Sequence, residues 1–436
     1  MSSPAAAPSG KRSRSPSLAE DDFSLKRTRV DDEIEEMLQL PEEHKLDGPL
    51  VKDDTYYLHD GSCIMRVENT LFNVHQTLLA KDGSLFSSMF SLPQGKHEVE
   101  GASDDSPIWL QGESVAEFKN FLWVLYALPH ELADISTPQI DLPRLNRLID
   151  IARVSFKYHF RSIETWALDV INEQVNRKPT PPLFYLPSSA TSAASPQAIA
   201  SNGALISRLM RLAQLCAHER LLAAMIGVMK QLMGYSIQYA HLAMSLADEL
   251  ELRPLRGIAY FEVMQKANVV VAAPSRRPSN AAARSPSSLA GTGTEEEEPL
   301  SILDAEGRLI VNPQQKMRLL MGYHRLTMVW ERLRATPLTY EHAAACSATW
   351  HQHGCTQCWL DFWKEKTKSD TVLSLGLADV LGRLRAISKE FVRWGSATYM
   401  HQDCRTTVRN AIQEKIKMVE DALPDYFVEE TYTPPF

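Results

Sequence analysis

Asp60-Gly-Ser-Cys63-Ile-Met-Arg-Val67-Glu-Asn-Thr70-Leu-Phe-Asn-Val74-His75 decides how the first half of this chain folds. Cys63–Val67 and Leu71 to Val74 are short, mostly apolar runs, and Glu68-Asn69-Thr70 between them is polar. That order predicts two strands joined by a tight turn. Downstream the pattern becomes helical. Two short helices are expected around His75 to Ala80 and Ser84 to Phe90, then a polar loop punctuated by Gly95 and Pro107, then a brief strand at Ile108-Trp109-Leu110. After Ser114, a good N-cap, Phe118, Phe121, Leu122, Leu125 and Tyr126 recur at three- and four-residue steps. The same period runs through Leu145, Leu148, Ile149, Ala152 and Phe156, and again through Ile163, Trp166, Ala167, Val170 and Ile171. A hairpin, a helical pair, one more strand and three amphipathic helices make a small α+β domain.

The residues themselves, from Asp60 to His75, then Leu78-Leu79, Ser84, Phe86 and Met89-Phe90, resemble a BTB/POZ domain spanning residues 52–176. Within that resemblance Asp60 opens a strand, Phe72 and His75 form the Phe-x-x-His ending of the second strand, and Leu78 and Leu79 follow. Ser84 and Phe86 stand one residue closer than the family's Ser-x-x-Phe spacing. Met89-Phe90-Ser91-Leu92-Pro93-Gln94-Gly95, Ser103-Asp-Asp-Ser-Pro-Ile108 and Leu125-Tyr-Ala-Leu-Pro129 are similar, more narrowly, to an expanded group of fungal BTB proteins. The resemblance implies a protein that pairs with itself or presents a groove to a partner.

Outside that stretch the 436 residues divide by composition. Residues 1–51 are rich in Ser, Pro, Ala and clustered charge, too polar to bury a core, and read as a disordered tail. Lys11, Arg12 and Arg14, then Lys26, Arg27 and Arg29, flank an acidic spacer in the layout of a bipartite nuclear-import signal; a solvated charge run is the alternative. Residues 177–202 are a Pro/Ser/Ala-rich linker, with Pro179, Pro181 and Pro182 stopping the preceding helix. Residues 269–299 are a second, disordered linker ending in the acidic run Glu295 to Glu298. Ser279 and Ser285 there follow arginines in contexts that a kinase can read. Residues 203–268 and 300–436 carry helical periodicity throughout. They read as all-α, with the two stretches forming one domain around the second linker.

The hydrophobic share of 44% and charged share of 23% exclude global disorder. A net charge of -8 gives no long-range pull on phosphate backbones, so direct nucleic-acid binding is not expected. Sparse cysteines suit a reducing compartment, nuclear or cytoplasmic. The most apolar run, Leu221 to Ala247, carries Lys230, Gln231, Gln238 and His241 and reads as a buried helix, with no membrane partner.

Cys346, His351, Cys355 and Cys358 form the cluster with metal-ligand chemistry, with His353 beside them. Two thiolates of a Cys-x-x-Cys and two further ligands can close a tetrahedral structural zinc site. Cysteines three apart on a helix equally face a core beside Trp359, Phe362 and Trp363. Packing is the first reading and zinc the second, with no other cofactor implied. His75 reads as structural, and Asp104 and Asp105 as turn residues. No phosphate-binding glycine loop, Gly-x-Ser-x-Gly or His-Glu-x-x-His is present, so the expectation is a non-enzymatic scaffold that self-associates in the nucleus. A cullin-ligase substrate adaptor is the second reading, and a DNA-binding regulator the third.

Overall fold

The computed structural model describes residues 49–92, 99–136, 141–177, 196–271, 302–394 and 399–429. They form two compact units: residues 49–76 with 99–115, and residues 77–92 with 116–429.

The first unit is a mixed sheet of β1 (Val51–Tyr57), β2 (Cys63–Val67), β3 (Thr70–Val74) and β4 (Ile108–Leu110), in the order β1-β3-β2-β4. β2 and β3 are antiparallel, in register from Val67 opposite Thr70 to Cys63 opposite Val74. Glu68 and Asn69 make the turn. Glu68 takes the left-handed backbone (φ 52) that a two-residue hairpin demands, and the Arg66 guanidinium donates to its carbonyl at 2.8 Å. Met65, Val67, Phe72 and Val74 are fully buried. β4 lies parallel to β2. Gly101 prepares that approach: at φ +84 its carbonyl accepts from the Ile64 N–H at 2.8 Å. A Cβ there would sit 2.9 Å from the Ile108 side chain.

β1 runs parallel to β3 and has no counterpart among the expected strands. Lys52-Asp53-Asp54-Thr55-Tyr56-Tyr57 lacks alternation because the strand bulges, its register slipping between Lys52 and Tyr57. Asp53 stabilises the bulge by accepting from the N–H groups of Thr55 and Tyr56 at 3.0 and 2.8 Å.

The second unit is mainly helical, beginning with α1 (Gln76–Leu79), which follows directly on β3, and α2 (Leu85–Phe90). Buried Ser84 caps α2 by accepting from the Ser87 N–H at 3.3 Å, while its own hydroxyl donates to the Leu79 carbonyl at 2.5 Å. α3 (Val115–Tyr126), α4 (Pro129–Ile135), α5 (Leu142–Lys157) and α6 (Arg161–Val175) follow. Phe86 stacks on Tyr158 at 4.5 Å, and Phe121 meets Phe160 edge-on at 5.0 Å.

Four helices come next: α7 (Pro196–Leu215), α8 (Glu219–Tyr235), α9 (Ile237–Glu249) and α10 (Arg253–Lys266). α7 starts inside the stretch read as linker 177–202. The apolar run Leu221 to Ala247 is two helices, because Ser236 interrupts it and caps α9 by accepting from the Gln238 N–H at 3.2 Å. No described helix is long and apolar enough to cross a membrane.

The second linker also gives up its first residues. Val269–Val271 (β5) pairs in parallel with Leu309–Val311 (β6). A capping box between Asn312 and Gln315, at 2.7 and 3.2 Å, then opens α11 (Pro313–Ala335). α12 (Thr349–Lys366), α13 (Asp370–Leu373), α14 (Val380–Trp394), α15 (Gln402–Asp421) and α16 (Leu423–Tyr426) complete the described chain. A single continuous cluster of buried side chains runs from Ile135 to Phe427 and includes both Leu205 to Val263 and Leu309 to Phe427.

Asp150 on α5 is the polar pin of the early helices. Its carboxylate accepts from Asn120 on α3 at 2.8 Å and from Arg208 on α7 at 2.7 Å, while Arg208 also donates to Asn146 at 2.6 Å. Burial pushes the Asp150 carboxyl above its ordinary pKa, and Asn120 and Arg208 act in the opposite direction. Arg208→Ala strands that buried carboxylate. We expect a loss of about 2 kcal/mol in urea unfolding, the scale of a charged hydrogen bond with one partner removed. A change under about 0.5 kcal/mol, the surface-substitution range, would show that the pair is only decorative.

Candidate functional site

On the sheet unit, the residues that carried the family resemblance fall into two kinds. Phe72 is fully buried on β3, and Asp60 is exposed in the turn before β2. The Asp60 carboxylate lies 3.4 Å from Nε2 of half-buried His75 just after β3. A carboxylate touching one ring nitrogen fixes the orientation of the imidazole. On the helical unit, Leu79 is buried and Leu78 half-buried. Asp104 receives the Tyr57 hydroxyl at 2.6 Å and the Lys52 ammonium at 2.7 Å. Lys52 and then Tyr57 hold its carboxyl below the usual range, and Asp104 in turn raises Lys52. The loop that contains Asp104 is thereby tied to β1.

The metal-ligand chemistry gathers on the helical unit, in a different set of residues from the spacing-based quartet. The Cys346 and Cys355 thiols do meet, at 3.9 Å. The companions of Cys346 are His342 and Cys404, whose ligand atoms lie with its own within 4.8 Å of one another, while Cys355 touches the group through Cys346. Among the described residues no other such group of three or more is found. His351 is exposed with its ring tilted against Trp350, and Cys358 is half-buried one helical turn past Cys355. The reason is helical geometry. On α12 Cys355 turns inward with Trp359 and Phe362, so the thiol that reaches it, Cys346, comes from the loop before α12. His342 stands four residues before Cys346, a signal the spacing search could have used. Cys404 lies far along the chain with no local motif to announce it.

Three elements position this group. Cys346, in the loop after α11, is held by Gln352, which donates to its carbonyl at 2.9 Å. His342 in the same loop places Nδ1 3.7 Å from the Cys404 thiol at the start of α15. Its Nε2 lies 3.1 Å from the Thr356 hydroxyl, which itself donates to the Gln352 carbonyl at 2.9 Å. The His401 N–H donates to the Cys355 sulfur at 3.2 Å. Cys346, Cys355 and Cys404 are all buried and none forms a disulfide. Burial and the neighbouring thiols push the Cys346 thiol up to about 12. The Tyr340 hydroxyl is likewise raised to about 12, by burial and by the charges that Cys355, Cys404 and Cys346 would carry.

The basic groups Lys11, Arg12, Arg14, Lys26, Arg27 and Arg29, and the serines Ser279 and Ser285, lie outside the described residues. No protein-family model, curated protein or solved structure matches the chain.

Proposed function

We propose that this chain is a self-associating protein-interaction scaffold of the BTB/POZ kind that acts in the nucleus. The observation that carries the reading is the position of β1. Among the described residues it is an edge of the sheet, paired on its β3 side, and Leu50 just before it and Val51 at its start are 42% and 58% exposed. A second chain can extend such an edge by strand addition. A symmetric pair formed in this way gives each copy the same complement. The order of elements, with a hairpin, two short helices, a strand parallel to the first hairpin strand and then longer helices, supports the same reading. The basic groups of residues 1–51 supply its nuclear component.

The test is sedimentation velocity of the full chain over a range of loading concentrations. A dimer is expected, and Val51→Lys, which sets a charge on the edge, shifts it toward monomer. A wild-type chain that stays monomeric at every concentration removes the self-association reading. Capture of a cullin by the tagged full chain from its native extract, lost on deletion of residues 52–176, replaces the scaffold with the adaptor.

A further inference from the structure

We propose that His342, Cys346, Cys355 and Cys404 bind a structural zinc ion as a closed Cys₃His site that locks the loop after α11 and the start of α15 onto α12. In a tetrahedral site with Zn–S of about 2.3 Å and Zn–N of about 2.0 Å, two sulfurs stand about 3.8 Å apart and a sulfur and nitrogen about 3.5 Å. The Cys346–Cys355 pair at 3.9 Å and the Cys404–His342 pair at 3.7 Å lie within about 0.2 Å of these separations, and Cys355, which stands outside the close group of His342, Cys346 and Cys404, completes the tetrahedron by moving toward it. Direct sulfur–sulfur bonding needs about 2.05 Å, so at 3.9 Å Cys346 and Cys355 are two thiols in contact and not a disulfide.

The surroundings are those a metal requires. Because the Thr356 hydroxyl spends its proton on the Gln352 carbonyl, it accepts from His342, which places the imidazole proton on Nε2. The Nδ1 lone pair is then left facing the thiols, the tautomer of a coordinating histidine whose other nitrogen is held by an outer partner. The His401 N–H donates to the Cys355 sulfur, the kind of outer hydrogen bond that orients a ligating side chain. On binding, the three thiols release three protons to solvent, three Zn–S bonds form, and neutral Nδ1 supplies the fourth pair. The site then carries a net charge of -1 and keeps no open position for a substrate. Burial of all three cysteines suits a structural ion and not a catalytic one.

The full-length chain is purified without chelator, its zinc content measured by plasma mass spectrometry, and the apo form titrated with Co²⁺. One zinc per chain is expected, and Co²⁺ should give the intense visible bands and the sulfur-to-metal charge transfer of a tetrahedral thiolate site. His342→Ala and Cys404→Ala lose the bound zinc or weaken it at least tenfold. His351→Ala and Cys358→Ala keep full stoichiometry. The cobalt spectrum of the wild-type chain is decisive even where a ligand variant fails to fold. A wild-type chain without zinc and without the tetrahedral cobalt spectrum overturns the proposal. So does metal loss in the His351 and Cys358 variants with retention in the His342 and Cys404 variants.

Discussion

Trp363→Ala lowers the unfolding free energy by about 4 kcal/mol, the upper part of the range for removing a buried aromatic side chain. Trp363 on α12 is fully buried, and its indole N–H donates to the Leu333 carbonyl at 3.0 Å at the end of α11. Its ring lies 5.2 Å from Trp359, which in turn meets Phe391 on α14 edge-on at 5.6 Å. Truncation therefore empties a volume that no neighbour can refill, and leaves a buried carbonyl without its donor. The two costs add because they fall on different atoms. Measured by guanidinium unfolding with an unchanged slope, a loss of less than about 1.5 kcal/mol would falsify the packing described for this corner. Trp363→Phe keeps most of the ring and loses the hydrogen bond, so it should recover more than half of the deficit.

Opposite signs are expected at two helical glycines. Gly257→Ala on α10 destabilises by about 2 kcal/mol, because the new Cβ would stand 2.5 Å from the Pro424 nitrogen and 2.8 Å from the Leu423 carbonyl carbon. Those are backbone atoms of α16 and cannot rotate away. The helix-propensity gain of about 1 kcal/mol for replacing glycine is too small to offset the clash. Gly227→Ala on α8 meets nothing within 4 Å and keeps that gain whole, so it stabilises. Thermal unfolding of the two variants side by side checks both. Equal shifts in the same direction would mean that α10 and α16 do not approach as closely as described.

The hairpin was legible because its buried residues are contiguous in sequence and its turn is polar, and Ser114, read as a helix start, stands directly before α3. What escaped was set by distant partners. β1 reads as a charged approach to the hairpin, since an exposed, bulged edge strand needs neither alternation nor apolar residues. Val269–Val271 is too short to announce itself beside a low-complexity stretch, and only β6, far along the chain, makes it a strand. The thiol group shows the same limit. Cys346 and Cys355 were legible by spacing, whereas His342 comes in from the loop after α11 and Cys404 from the start of α15, and no residue near Cys404 records that.

The shared core of the helical unit also has a consequence for the order in which the chain can be made. Tyr260 on α10 rests against Phe427 at 5.4 Å, and Gly257 against α16, so the apolar face of α10 is completed by residues that follow it by 167 positions. At about 5–20 residues per second, a ribosome exposes that face for about 10–30 s before its partner emerges. Collapse of a chain this size takes far less than a millisecond. During synthesis, Leu205 to Val263 must therefore wait as a half-covered bundle, and a holding chaperone would have its longest opportunity there.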